Sequence, residues 1–238
     1  MVNIFRKGGV DFYEISVRIE FVKIVLSGPP GSGKGTQAEI LSVQFDYAHF
    51  STGNIFRDHI ERKTSIGTLA RQFINQGKLV PDLVVLDLTK DFLVHNQKPG
   101  IIFDGFPRTV GQAQGLDKIL KEWNDKISLV IFVELSTSEI IKRLTTRRTC
   151  LTCNAIYNLD FKPPRKSGVC DICGNKIYQR SDDTEPLIKQ RIKVYENQTK
   201  ELKTYYKKSQ VVYEIDGILG KDGVLQEILK LIKNHQAA

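Results

Sequence analysis

A glycine-rich loop that joins an apolar run to a helical pattern constrains this chain more than any other feature. The apolar run is FVKIVL at residues 21–26, and the loop follows as Gly28-Pro-Pro-Gly-Ser-Gly-Lys-Gly-Thr36. The spacing Gly28-x4-Gly33-Lys34 is typical of a phosphate-binding loop. Glycines let the backbone N–H groups converge on phosphate oxygens, and the following helix points its positive end at the same place.

One departure from the general motif concerns the hydroxyl that usually follows the lysine and holds Mg²⁺. Here the position after Lys34 is Gly35, and the hydroxyl is displaced by one residue to Thr36.

Short apolar runs alternate with helical patterns along the rest of the chain. The runs are rich in Val, Ile and Phe, as are strands of a parallel sheet buried on both faces. They occur at 100–103, 129–133 and 211–215, with a weaker candidate at 47–51. Helical patterns occur at 36–44, 81–95, 138–144, 185–206 and in the C-terminal tail. The alternation predicts an α/β fold in which helices flank a central parallel five-stranded sheet.

Composition excludes some classes of protein and leaves others open. No apolar run approaches the ~20 residues that span a bilayer, so we expect no membrane span. The 35 basic and 27 acidic residues give a net charge of +8, which suits an anionic partner without specifying which one. The N-terminal segment lacks the apolar core of a secretory signal and carries three acidic residues. We therefore expect a cytoplasmic location, with a mitochondrial one as the alternative.

The four cysteines form two closely spaced pairs, Cys150-x2-Cys153 and Cys170-x2-Cys173. This spacing predicts one structural Zn²⁺ held by four thiolates, which would close a tetrahedral site. The surrounding segment, 147–183, shows little helical periodicity, and we interpret it as a small inserted domain. It is too short to build a core, so metal binding would supply its folding free energy, roughly 10–16 kcal/mol in small zinc modules. Disulfides or a redox pair are the alternatives.

Several further motifs follow the glycine loop in a fixed order, and together they resemble those of adenylate kinases with a long, cysteine-bearing lid. They are HFSTGNIFR at 49–57, GKLVP at 77–81, FDGFPRT at 103–109, QRSDD at 179–183 and DG at 216–217. The resemblance covers residues 21–233. It implies the P-loop nucleoside monophosphate kinase fold and Mg²⁺-dependent, reversible phosphoryl transfer from ATP to AMP, giving two ADP, by a monomer.

The resemblance also implies a division of the chain into functional units. An N-terminal extension (1–20) would precede a core with the phosphate loop (21–50) and an NMP-binding subdomain (51–80). More core (81–146), the zinc-bearing lid (147–183) and a final core segment (184–238) would follow.

The resemblance further implies which residues hold the two nucleotides. The ATP side would use Gly31, Ser32, Gly33, Lys34, Gly35, Thr36, Arg143, Arg147, Ile156, Tyr157 and Leu219. The AMP side would use Thr52, Arg57, Leu79, Val80, Gly105, Arg108, Gln112, Arg180 and Arg191. Asp104 would hold Mg²⁺ through water, with a helix-capping role as its alternative. Asn54 stands where most relatives have an aspartate.

Phosphoryl transfer depends on positioning and charge stabilisation more than on covalent chemistry. The nucleophile would be the AMP phosphate, already an anion at neutral pH, so no general base is required. The catalytic groups are therefore expected to be cations that follow the moving phosphoryl group. By resemblance they are Lys34, Arg108, Arg143, Arg147, Arg180 and Arg191.

Three other functions compete with this interpretation. A GTP:AMP phosphotransferase differs only in the base of the phosphate donor, and sequence motifs are a weak guide to that base. Gln37 favours ATP as the donor. A pyrimidine nucleotide kinase is disfavoured because such relatives usually have a short lid without cysteines. A zinc-ribbon nucleic-acid-binding module would suit the charge and the cysteine pairs, but it lacks an aromatic platform and leaves the glycine loop unexplained. We therefore expect neither a nucleic acid nor a membrane partner.

Overall fold

The structure is a computed structural model that describes residues 3–7, 10–14 and 22–236. The strands are β1 (Asn3–Lys7), β2 (Val10–Glu14), β3 (Lys23–Ser27), β4 (Ala48–Ser51), β5 (Ile101–Asp104), β6 (Leu129–Glu134), β7 (Arg147–Cys150), β8 (Ile156–Asn158), β9 (Ile177–Tyr178) and β10 (Val212–Asp216). The helices are α1 (Lys34–Phe45), α2 (Thr52–Glu61), α3 (Ser65–Ile74), α4 (Asp82–His95), α5 (Val110–Glu122), α6 (Thr137–Thr145), α7 (Glu185–Val194), α8 (Leu202–Lys207) and α9 (Gly220–Gln236).

Five parallel strands form the central sheet in the order β10-β6-β3-β5-β4, which confirms the predicted sheet. Apolar side chains cover both of its faces. On one face, α2, α3, α4, α5 and α8 pack around Phe50, Phe103, Phe106 and Phe132. On the other face, α1 and α9 pack against Ile24, Leu26, Ile131 and Val133. The sheet is thus the middle layer of three, as its nearly continuous apolar strands predict.

The register of the strands brings polar residues to one edge of the sheet. Leu26 on β3 and Ser51 on β4 both pair with Asp104 at the end of β5. Since parallel strands end at a common edge, the glycine loop after β3 lies beside Asp104 and Ser51. Ligands of open α/β sheets bind at this carboxyl edge.

The cysteine-bearing segment folds as a separate small sheet. Its three antiparallel strands lie in the order β8-β7-β9. Its apolar interior is small and consists of Cys150, Ala155, Tyr157 and Cys170, with Ile177 packed against them. A core this small leaves the sulfur cluster as the main element that ties the strands together.

The structure corrects one expectation about helices. The pattern at 185–206 is not one helix: α7 and α8 are separated by a π-helical turn, Tyr195–Thr199, closed by the Lys200 N–H on the Tyr195 carbonyl oxygen. The wider turn lets Tyr195, Leu202 and Tyr206 all remain buried. On α4, the buried positions are Val85, Thr89 and Leu93, whereas Leu83 and Val94 face solvent. The helical patterns in the sequence did not predict the helices α2, α3 and α5.

The predicted N-terminal extension, residues 1–20, lies partly outside the described residues. Its described parts, β1 and β2, pair as an antiparallel hairpin. Within the described residues, no helix combines the length and apolar character needed to cross a bilayer.

Gly67→Ala should loosen the contact between α2 and α3. An added Cβ at Gly67 would overlap the backbone carbonyl of His59, so the two helices must separate. We expect a loss of about 1–3 kcal/mol in the free energy of unfolding, measured by urea titration. Thr68→Ala, at the exposed next position, is the control. Equal stability of the two variants would contradict the close approach.

Candidate active site

The glycine loop between β3 and α1 surrounds the Lys34 ammonium. Gly28 and Gly33 have φ of 137° and 98°, which side chains rarely adopt, and a Cβ at Gly28 would overlap the Val133 carbonyl oxygen. Lys34 Nζ donates to the Pro29 carbonyl oxygen at 2.9 Å and to Ser32 Oγ at 3.4 Å. Burial, together with nearby arginines, lowers the pKa of Lys34 to about 7. The loop thus holds a cation in a place that disfavours its charge.

Asp104 is the carboxylate next to this lysine. Its Oδ2 accepts a hydrogen bond from Ser51 Oγ at 3.1 Å and lies 3.4 Å from His49 Nε2. Burial acts to raise the pKa of Asp104, but the His49 contact and the Lys34 charge outweigh it, so the pKa is lowered. A Cβ at Gly35 would lie 3.2 Å from Oδ2, which accounts for a glycine after the lysine.

A second set of cations lies at the start of α2 and after β5. Arg57 Nη2 donates to Asn54 Oδ1 at 2.6 Å, and among the described residues no atom pairs with its buried Nε. Arg108 Nε donates to the Gly105 carbonyl oxygen at 2.6 Å, and Thr52 Oγ1 donates to the same oxygen at 3.1 Å. Both guanidiniums keep N–H groups that can serve a phosphate.

The predicted adenine-reading residues on the AMP side take different positions. Gln112 is buried, and its amide bonds to Asp82 Oδ1 and to the Arg108 backbone N–H, each at 2.8 Å. Leu79 is half-buried, but the Val80 side chain belongs to the core beneath. The contact of Val80 with AMP stays a prediction, and because its side chain is buried, the backbone of Val80 would have to supply that contact.

Two consecutive carboxylates anchor Arg147 of the lid and Arg191 of α7, and a lid threonine anchors Arg180. Arg147 forms a bidentate pair with Asp183, at 2.7 and 2.6 Å. Arg191 Nη1 contacts Asp182 at 3.0 Å and Asp183 at 3.1 Å. Arg180 Nε donates to Thr149 Oγ1 at 2.9 Å. Asp182 and Asp183 were not predicted as site residues, although their place beside Arg180 in QRSDD was the available signal.

The two sets of cations meet at the carboxyl edge of the sheet. Burial is the largest cause of the lowered pKa values of four of these groups, and neighbouring cations add to it. The four groups are Lys34, Arg57, Arg108 and Arg180, and the pKa of Arg57 falls to about 10. Arg147 and Arg191 supply much of the neighbouring charge. We call these six the cation cluster: Lys34, Arg57, Arg108, Arg147, Arg180 and Arg191.

Other predicted ATP-side residues lie around this cluster. Arg143 pairs with Glu139 at 2.8 Å and donates to the Gly217 carbonyl oxygen at 3.2 Å, close to exposed Leu219. Ile156 is half-buried on β8. The Tyr157 side chain is only 3% exposed and points into the lid, so any contact with ATP must come from its backbone.

The four sulfurs of the lid lie within 4.8 Å of one another. Cys150 and Cys173 are 3.4 Å apart, and Cys153 and Cys170 are 3.5 Å apart, far beyond a disulfide bond. A tetrahedral Zn²⁺ with ~2.3 Å bonds needs sulfurs ~3.8 Å apart, close to these distances. Burial opposes ionisation of Cys170, but hydrogen bonds, first from the Tyr157 hydroxyl, outweigh it and lower its pKa to about 6. The arrangement could hold a metal ion through four sulfur ligands.

A glycine loop on a parallel sheet, opposed by a second set of arginines and joined to a small inserted sheet, defines a nucleoside monophosphate kinase. The sequence profile of adenylate kinases matches residues 26–211, and the chain belongs to the adenylate kinase family. The adenylate kinase of Clostridium novyi (strain NT) is 41% identical over 215 residues, covering 90% of this chain and 98% of that protein. That of Clostridium perfringens (strain 13 / Type A) is 43% identical over 212 residues, covering 89% and 97%.

Lys34→Met should stabilise the protein without nucleotide while removing activity. A lysine with a folded-state pKa lowered to about 7 costs stability while charged, and this cost disappears as pH rises from about 7 towards the unfolded value. The variant's gain in free energy of unfolding should therefore be larger near pH ~6 than near pH ~9. Urea unfolding at both pH values measures it, with Lys90→Met on α4 as an exposed control. A pH-independent gain would contradict the assigned burial of charge.

Proposed function

We propose that this protein transfers the terminal phosphoryl group of ATP to AMP, reversibly, giving two ADP. An oxygen of the AMP phosphate forms the new bond to phosphorus as the bond to the bridging oxygen of ADP breaks. The observation that carries the proposal is the cation cluster, which lies between the glycine loop and the second set of arginines. Two anionic phosphate chains placed end to end are the ligand that such a cluster suits.

The residues divide the work by position. Gly31, Ser32, Gly33, Gly35 and Thr36 would hold the β- and γ-phosphates with the loop and the start of α1. Lys34, Arg147 and Arg191 would follow the moving phosphoryl group. Arg57 would bind the AMP phosphate with its unpaired Nε, and Arg108 and Arg180 would complete the enclosure. Arg143 and Leu219 would lie at the ATP base.

Mg²⁺ on the triphosphate would neutralise charge as it develops between the phosphates. Asp104 suits this role, because its pKa is lowered and a hard cation prefers carboxylate and water oxygens. Asn54 has an amide in place of a second carboxylate, and its amide oxygen accepts a hydrogen bond from Arg57.

We also propose that two segments move over the nucleotides. Residues 51–80 would close on AMP, and the lid, residues 147–183, would cover ATP and exclude water. The lid arginines support this proposal, because Arg147 begins the three-stranded sheet and Arg180 follows it, and Arg147 shares Asp183 with the core residue Arg191.

The donor nucleotide can be tested directly. With AMP fixed as acceptor, a coupled assay compares ATP, GTP, CTP and ITP as donors, and we expect ATP to give the largest kcat/KM. Arg108→Ala should lower kcat by about 10²-fold or more, because one preorganised cation is removed. A preference for GTP would favour the GTP:AMP phosphotransferase alternative, and no turnover with any donor would refute the kinase. The exposed Arg62→Ala is the control.

The lid is proposed to bind one Zn²⁺ through Cys150, Cys153, Cys170 and Cys173. We expect about one zinc per chain by elemental analysis, because four sulfurs already stand near tetrahedral spacing. Cys153→Ser should lose the metal and unfold at a lower temperature, since metal binding contributes to folding. Ile172→Ser, at an exposed position between two ligands, keeps all four thiolates and is the matched control. A wild-type protein that is folded and free of zinc would refute the proposal.

We further propose a monomer in the cytoplasm. The relatives named above come from clostridia and give the mitochondrial alternative no support. No nucleic acid partner is proposed, because the cation cluster is half-buried at the carboxyl edge of the sheet and much of the lysine surface between the start of α7 and the end of α8 is paired. These pairs are Lys189 with Glu185, Lys200 with Glu196, and Lys203 with Glu134 and Glu214.

A further inference from the structure

We propose that Asp82 fixes the orientation of the Gln112 amide and so makes the acceptor site selective for a 6-aminopurine over a 6-oxopurine monophosphate. The inference rests on the proposed function, in which Gln112 reads the purine edge of AMP. Asp82 itself does not contact the substrate. It is a positioning residue that acts through Gln112.

The carboxylate of Asp82 joins the first turn of α4 to the first turn of α5. Its Oδ1 accepts a hydrogen bond from Gln112 Nε2 at 2.8 Å. Its Oδ2 accepts one from Thr109 Oγ1 at 2.7 Å, which holds the carboxylate in place. At the other end of the amide, Gln112 Oε1 accepts from the Arg108 backbone N–H at 2.8 Å. The Gln112 residue is 2% exposed.

These partners allow only one orientation of the amide. An ionised carboxylate can only accept a hydrogen bond, and a backbone N–H can only donate one. If Gln112 turned over, its oxygen would face Asp82 and its NH₂ would face the Arg108 N–H. Two hydrogen bonds would become two repulsive contacts in a place where water cannot compensate. The positions of nitrogen and oxygen in Gln112 follow from this network.

A fixed amide can distinguish purines that a rotating amide cannot. After its bonds within the protein, Gln112 retains one N–H and one oxygen lone pair. Adenine presents an acceptor at N1 and a donor at its 6-amino group, whereas a 6-oxopurine presents the reverse, a donor at N1 and an acceptor at O6. Turning the amide over would accommodate the second pattern. Because Asp82 prevents this, the site rejects the base whose polar groups it cannot pair.

Asp82→Asn tests the inference with little change of shape. An asparagine amide can itself turn over and donate to Gln112 Oε1, so only the Arg108 backbone N–H still opposes the reversed orientation of the glutamine. At saturating ATP, kcat/KM is measured with AMP and with IMP as acceptor. We expect the ratio of IMP to AMP to rise about 10-fold, the effect of roughly one hydrogen bond. The KM for ATP should not change.

Asp87→Asn is the matched control, because it removes the same charge from an exposed position of the same helix. An unchanged ratio in Asp82→Asn would overturn the inference, and so would equal losses with both acceptors, which indicate a structural role only. A wild-type protein that does not phosphorylate AMP would instead refute the proposed function.

If Asp82→Asn fails to fold, the side-chain amide of Gln112 in the wild-type protein decides the matter. Its NMR signals are assigned by their loss in Gln112→Leu. Slow hydrogen exchange of the Nε2 protons supports the fixed orientation. Exchange at the rate of an exposed glutamine overturns it.

Discussion

Crowding of like charges at the carboxyl edge of the sheet is the constraint on which the rest of this structure depends. Six cations converge there, and Asp104, Asp182 and Asp183 supply the neighbouring negative charge. The buried lysine and arginines carry lowered pKa values, so their charges oppose the folded state. Such a site is short of negative charge, and the phosphates of two nucleotides would supply it. Stability and activity therefore make opposite demands on the same residues.

The carboxylates also give the arginines two alternative partners. Asp183 is fully buried and contacts both Arg147 and Arg191. A phosphate offers the same bidentate geometry to a guanidinium as this carboxylate does. An arginine can therefore leave Asp183 for a phosphate without passing through an unpaired state.

Local spacing accounts for what could be predicted from the sequence. The glycine loop, the apolar strands and the paired cysteines each lie within a few neighbouring residues; the strands form the predicted sheet, and the four sulfurs lie close together. The contacts that could not be predicted join distant residues: Gln112 with Asp82, and Arg147 with Asp183. Nor could the direction of the Val80 and Tyr157 side chains be read from motifs, because it depends on which face of a segment becomes buried. The family resemblance predicted which residues belong to the candidate site, whereas the orientation of their side chains could be seen only in the packed structure.

The short strand β7 carries Arg147 at its first residue and Cys150 at its last. A three-residue step along a strand spans roughly 10 Å. The position of the Arg147 guanidinium is thus tied to the position of the Cys150 sulfur, and the neighbouring strand β9, whose Ile177 pairs with Cys150, ends two residues before Arg180. A metal ion held by the four sulfurs would therefore also stiffen the strand that presents Arg147, and would limit how far this arginine can move.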